Sequence, residues 1–251
     1  MNLLQMIRDR RNREGIYSHP AYWDRKAAQS TGEATSMWPN NALNRHYHLE
    51  QTALLDTLLP AIDGWTVLDL GCGTGRISRH LAARGARVTG MDFSTQAVVI
   101  ARSKSSGNNP RFVVGSMFEL EGEALYDAIC VTAAITVACQ NAGHVREVGR
   151  RLFQVLRPQG RLVLLEPIHR GFLHRVLNMD ASEFCAVLET TGFKDIQVRQ
   201  MHFWPARLAL AYVSWPTWIT TPGYKLGQAL MRCPGLRQLG DYKAISAIRP
   251  K

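Results

Sequence analysis

The stretch Val67-Leu68-Asp69-Leu70-Gly71-Cys72-Gly73-Thr74-Gly75-Arg76 restricts what this chain can fold into more than any other. A short apolar run ends beside an acid, three glycines follow at alternate positions, and a helix-length segment begins. Glycine lets a chain turn sharply between strand and helix and lets a ligand approach the backbone, because no Cβ blocks either. The stretch therefore predicts a strand over Thr66 to Leu70, a helix over Arg76 to Arg84, and a nucleotide-like ligand at the turn between them.

The chain beyond Arg84 repeats the pattern. Strands are expected over Arg87 to Met91, Phe112 to Val114, Tyr126 to Thr132 and Arg161 to Glu166, with helices over Ser94 to Lys104 and around His144 to Leu156. Short apolar runs alternating with helical segments are the signature of βαβ units and a largely parallel sheet. Arg157-Pro158-Gln159-Gly160 reads as a turn before strand five. A helix around Ala181 to Thr190 ends at Gly192, Lys194 to Arg199 reads as strand six, and Tyr242 to Ala247 reads as a last strand added at the sheet edge. Pro60-Ala61-Ile62-Asp63-Gly64 carries turn signals, which divides the chain into an N-terminal helical cover at 1–64 and an α/β domain at 65–251. Residues 201–241, with their tryptophans and prolines, read as an insertion able to form a lid.

The glycine spacing is G-x-G-x-G, not the G-x-G-x-x-G of dinucleotide binders, and a second acid stands 21 residues beyond Gly71 at Asp92. An acid about 20 residues past the first glycine can accept both ribose hydroxyls in a Rossmann-type site. With these residues in place, Asp69 to Gly75 resembles motif I of the class I S-adenosylmethionine (SAM)-dependent methyltransferases. Tyr126 to Thr132 resembles the motif IV of that family, and Leu156 to Pro167 resembles its strand-five signature. The likeness covers about residues 65 to 200, in the manner of the quinone-biosynthesis and related small-molecule methyltransferases. It implies a Rossmann-like, seven-stranded, mostly parallel sheet with helices on both faces, SAM as cofactor and S-adenosylhomocysteine (SAH) as product. It implies a cofactor site at Asp69, Gly71, Cys72, Gly73, Gly75, Asp92, Phe93, Ser116, Met117 and Thr132. Phe93 would pack on adenine, and Ser116 stands where the family often has an acid for the adenine amino group.

Several residues carry two readings. Arg45, in Asn44-Arg45-His46-Tyr47-His48, either pairs with the SAM carboxylate from a helix covering the cofactor or lies on a solvated helix face. His169, past the carboxyl end of strand five, is the candidate general base, set against an ordinary structural histidine. Glu166 orients substrate or caps the next helix. Tyr22 and Trp23 line the pocket or belong to the core. Cys72 reads as a small loop residue, since nothing nearby marks it as a low-pKa thiolate. Methyl transfer calls for no metal, and none is expected.

The formal charge of +10 at 251 residues raises the question of polyanionic partners. The basic residues are dispersed, however, and no nucleic-acid reading motif is present. No N-P-P-[YF] element follows strand four, where the chain reads Val131-Thr132-Ala133-Ala134-Ile135, which argues against methylation of exocyclic amines in DNA bases or of glutamine. The expected acceptor is a small molecule with an O, N or C nucleophile. The aromatic insertion favours a hydrophobic or lipid-like acceptor and peripheral contact with an anionic membrane. A non-catalytic SAM-binding regulatory or scaffold module is the alternative, and an RNA or protein methyltransferase ranks below it. Five scattered cysteines without C-x-x-C, no secretory h-region in the opening MNLLQMIRDRRNREG, and no apolar run of spanning length together favour a reducing cytoplasm.

Overall fold

The computed structural model describes residues 8–9, 11–28 and 38–251. The opening residues on which the leader reading rests, and Arg10 of the first basic run, lie outside them. Helices α1 (Pro20–Ala28) and α2 (Asn41–Leu58) precede the sheet. Then come β1 (Thr66–Leu70), α3 (Arg76–Ala83), β2 (Arg87–Asp92), α4 (Thr95–Ser103), β3 (Arg111–Val114), β4 (Tyr126–Thr132), α5 (Ala142–Val155) and β5 (Leu156–Glu166). The chain closes with α6 (Ala181–Thr190), β6 (Lys194–Phe203), α7 (Trp204–Leu210), α8 (Thr217–Leu230) and β7 (Gly240–Ile248).

The seven strands lie in the order β3-β2-β1-β4-β5-β7-β6. The first five run parallel, and β7 is antiparallel to both of its neighbours. The last strand is thus not the edge expected for it: it is inserted between β5 and β6. The burial of the two strands explains the placement. β7 is buried along most of its length, whereas Lys194-Asp195-Ile196-Gln197-Val198-Arg199 of β6 is largely exposed, as suits an edge that must resist further pairing. The expected turn at Arg157 to Gly160 is also absorbed, since β5 already begins at Leu156 opposite Tyr126. Gln159 takes a φ of 64° and pairing resumes at Arg161 opposite Ala128, so the four residues form an excursion within the strand.

Alternation along the strands builds two cores. Leu68, Leu70, Ile129, Val131, Leu162 and Leu164 face α5 and α6, where Val148, Leu152, Phe184 and Leu188 meet them. Val67, Ala128, Cys130, Val163 and Leu165 face the other way, against Leu43, Leu55, Ile77, Leu81 and Tyr224 of α2, α3 and α8. A side chain of this kind contributes about 1.5–3 kcal/mol when fully buried, so covering both faces holds the sheet between two helical layers. Asn40 fixes where α2 begins. Its Oδ1 accepts from Leu43 N at 3.0 Å, while its Nδ2 donates to Leu210 O at 2.9 Å and Thr220 Oγ1 at 3.0 Å.

The layer that contains α2 and α7 is tied to the start of β7 by a buried ion pair. Arg207 Nε lies 3.0 Å from Asp241 Oδ1, with the two side chains 1% and 0% exposed. Tyr47 of α2 donates to Asp241 Oδ2 at 3.3 Å, and His169 Nε2 donates to Asp241 O at 2.7 Å. Burial alone would raise the Asp241 pKa, but Arg207 and the His169 hydrogen bond hold it well below the usual carboxylate range. Removing one partner leaves the other charge buried and uncompensated, so Asp241→Ala should lower the unfolding free energy by roughly 3–5 kcal/mol in urea denaturation. A loss under about 1 kcal/mol would show that the pair carries no such charge.

Candidate active site

At the carboxyl ends of β1, β2 and β4, under a cover formed by residues 17–28 and 38–51, lies a cavity of about 340 Å³. Its floor is the glycine turn. Gly71 takes a φ of 73°, and a Cβ there would sit 2.4 Å from Ala134 Cβ in the loop after β4, so the residue is required both for its conformation and for its closeness. That loop is held from below by Glu166 at the end of β5. Its carboxylate is fully buried and accepts from the backbone N–H groups of Ala134, Ile135 and Thr136 and from Thr136 Oγ1. Glu166 therefore caps a helical turn, but the one after the neighbouring strand and not the next in sequence.

The two acids of the motif point into this floor. Asp92 is buried; its Oδ2 accepts from Gly73 N at 2.8 Å and its Oδ1 from Ser94 N at 2.9 Å, which leaves lone pairs on both oxygens for a ligand. Burial pushes its pKa up, against those two amide bonds. Asp69 is deeper still. Burial pushes its carboxyl up to about 6, partly offset by Ser78 Oγ, which donates to Oδ2 at 2.6 Å, and by the nearby charge of Arg76. Thr74 Oγ1 and Thr132 Oγ1 are buried at the cavity wall without a hydrogen-bond partner among the described residues. Orphaned hydroxyls beside an open glycine turn are the pattern expected where a polar ligand completes the bonding.

Of the residues expected from sequence, Asp69, Gly71, Cys72, Gly73, Asp92, Phe93, Ser116, Met117 and Thr132 all line the cavity, as do Tyr22 and Trp23. Burial and the two nearby acids push the Cys72 thiol well up, in keeping with a small loop residue. Three expectations are corrected. Gly75 stands behind the wall, where a Cβ would meet the Phe112 ring at 2.6 Å, so its lack of a side chain serves helix-to-strand packing. Arg45 is exposed on the far face of α2, while Asn44, Tyr47, His48 and Gln51 of the same helix face the cavity. His169 does not reach the cavity: its Nε2 is bound to Asp241, and burial lowers its pKa despite that partner. Residues 201–241 supply no side chain to the wall.

Sequence reasoning missed the cations that do face inward. Arg76 donates to Nδ1 of His48 at 2.6 Å and to Gln51 Oε1 at 2.7 Å, tying the glycine turn to α2. The signal was available in helical phase, since Asn44, Tyr47, His48 and Gln51 recur at the i, i+3, i+4, i+7 spacing of one face. Arg175 enters from the loop after β5. Asp24 was also missed: its Oδ1 accepts from Ser94 Oγ at 2.6 Å and Gln96 N at 3.0 Å, docking α1 on the first turn of α4.

The Asp69 value has a thermodynamic consequence. A carboxyl whose folded pKa stands above its unfolded one favours folding of the protonated form, so this contribution is full below about pH 4 and is lost as pH rises through about 6. The loss amounts to roughly 3 kcal/mol. Denaturant unfolding of the ligand-free protein should show that slope between pH 4 and 6, and Asp69→Asn should remove it; equal slopes would place the Asp69 pKa near its ordinary value.

Comparisons with known proteins agree with this geometry. Residues 67–160 match the family model described as a methyltransferase domain. The Bacillus subtilis protein YqeM, whose name calls it a methyltransferase, is 35% identical over 108 residues, which are 42% of this chain and 43% of that protein. The mitochondrial ubiquinone biosynthesis O-methyltransferase of Schizosaccharomyces pombe is 29% identical over 161 residues, 60% of this chain and 57% of that one. The similarity thus spans about half the length of these relatives. Among solved structures, magnesium protoporphyrin IX methyltransferase from Synechocystis, with bound SAM, shares the fold at a TM-score of 0.60 and 17% identity, over 96% of this chain and 97% of that one. Residues 67–160, which hold the glycine turn and the paired acids, thus match a methyltransferase domain, set in a sheet whose fold is shared with a solved SAM-bound methyltransferase.

Proposed function

We propose that this protein transfers the methyl group of SAM to an oxygen, nitrogen or carbon nucleophile of a small molecule. The observation that carries the reading is the meeting of the Gly71 to Gly73 turn and Asp92 in one cavity that holds two partnerless threonine hydroxyls. Asp92 would hold the ribose hydroxyls, Phe93 and Met117 would flank adenine with Ser116 at its amino edge, and Asp69 and Arg76 would face the methionine end. When bound, SAM supplies a sulfonium methyl that is already electrophilic. What remains for the protein is to align the acceptor and keep water out, and orientation of this kind can remove several kcal/mol from a barrier. The cover formed by residues 17–28 and 38–51 does both, since Tyr17, Tyr22, Trp23 and Trp38 close the cavity with aromatic surface. A covered cavity of this size suits a small acceptor and not a folded polymer.

Calorimetric titration with SAM, SAH and, as control, NAD tests the cofactor assignment. SAM and SAH should bind and NAD should not. Asp92→Ala should weaken SAM binding by about 1–3 kcal/mol, because a buried acceptor of two hydroxyls is lost; unchanged affinity would mean that the cofactor sits elsewhere. Turnover against a panel of acceptors separates an enzyme from a SAM-binding regulatory subunit, which would bind without consuming SAM.

We also propose that the α7–α8 region rests on an anionic lipid surface. No Asp or Glu occurs between Asp195 and Asp241, whereas Arg199, Lys225, Arg232 and Arg237 are exposed there. Val213, Trp215 and Trp218 stand exposed between and at the start of these helices, Trp218 by 76%. Cations beside exposed tryptophan suit an interface of headgroups and acyl chains. No helix among the described residues is long and apolar enough to cross a membrane, so the contact would be peripheral. Sedimentation with phosphatidylglycerol vesicles should pull the protein down, phosphatidylcholine vesicles should not, and Trp215→Ser with Trp218→Ser should weaken the binding at least about tenfold. No binding, or equal binding to both lipids, would overturn it; retention by RNA with indifference to the tryptophans would point to a nucleic-acid contact instead.

A further inference from the structure

Among the described residues two guanidinium groups face the cavity, and they differ in what satisfies them. Arg76 is spoken for: His48 and Gln51 accept from its terminal nitrogens, and the Asp69 charge lies nearby. Arg175 is not. Its Nη2 is buried at the cavity wall and has no hydrogen-bond partner among the described residues. The acids close enough to act on its surroundings are already engaged. Asp241 is taken by Arg207, His169 and Tyr47, and Glu166 accepts four hydrogen bonds from the loop after β4. The backbone that carries Arg175 is fixed as well. The N–H groups of Val176 and Leu177 both donate to Thr136 O at 3.0 Å, and the Arg175 carbonyl accepts from Arg13 Nε. Arg175 acts on Asp241 and Tyr242 through its charge, but a buried donor nitrogen at a cavity wall without a hydrogen-bond partner is costly unless a ligand completes it.

We propose that Arg175 recognises the methyl acceptor, and that the acceptor is an anion bearing a carboxylate beside an apolar or aromatic body. The inference rests on the reading of the cavity as a methyltransferase site and adds the class of molecule that enters it. A guanidinium presents parallel N–H groups that match the two oxygens of a carboxylate, and it stays charged at any working pH. Tyr242 and Pro167 line the same cavity from the ends of β7 and β5, and Tyr47 packs edge-on to Tyr242 with ring centroids 5.9 Å apart, so an apolar body next to the charge is accommodated. The other carboxylate available to Arg175 is that of the cofactor's own methionine. The two assignments part in experiment.

The SAH-loaded protein should be titrated by ligand-observed NMR with aromatic and aliphatic carboxylates, each beside its neutral carboxamide, benzoate with benzamide being the simplest pair. The wild type should prefer at least one carboxylate over its amide by about tenfold or more, Arg175→Gln should reduce that preference to below about threefold, and Arg175→Lys should retain part of it. SAH affinity should stay within about twofold in both variants, which also shows that they fold. A wild type that binds SAH but shows no carboxylate preference overturns the proposal, as does a preference that survives in Arg175→Gln. Weakened SAH binding in both variants assigns Arg175 to the cofactor carboxylate and overturns it too. Failure of the wild type to bind SAH removes the methyltransferase reading itself, and the proposal with it.

Discussion

The carboxylate of Glu166 is the constraint on which the site depends. It lies at the end of β5, fully buried, and gathers three successive backbone N–H groups and a hydroxyl from the loop that follows β4. Held that way, the loop sets Ala134 against Gly71, and only a residue without Cβ fits between them. The glycine turn after β1, the threonine at the end of β4 and the acid of β5 are therefore one assembly of three neighbouring strands. A buried carboxylate is expensive to desolvate, and burial raises the Glu166 pKa; four donors offset that cost and make the position of the loop rigid.

The parts legible in the sequence are those in which a local run of residues determines its own conformation. Thr66 to Leu70, the glycine turn and Asp92 could be read because strand, turn and acid are each specified within a few residues and their spacing is fixed by one βαβ unit. The position of β7 could not be read in the same way, because insertion between β5 and β6 depends on pairing across the chain. Even so, the charged face of β6 held a clue that it, and not β7, would take the edge.

The misassigned residues of the site have a similar cause. Arg45 lies on the face of α2 turned away from the cavity, a matter of helical phase and not of composition. His169 lies in the loop after β5, but a buried aspartate from the far end of the chain captures it. Arg175 lies a few residues further on, in a stretch with no regular secondary structure to announce which way it faces. The cavity's electrostatics are thus assembled from side chains distant in sequence, whereas its glycines and acids come from a single motif.

The attachment of α1 has a consequence for how anything enters. Asp24 is bound to the hydroxyl of Ser94 and to the amide of Gln96, at the first turn of α4, and Ser94 follows the Asp92 turn directly. Lifting α1 away would strip the helix of that borrowed acid and leave the Gln96 amide bare, while the same displacement opens the cavity to solvent. Ligand access and local unfolding would then share one equilibrium, and the breathing of a helix terminus, more than the width of any portal, would set how often the site is open.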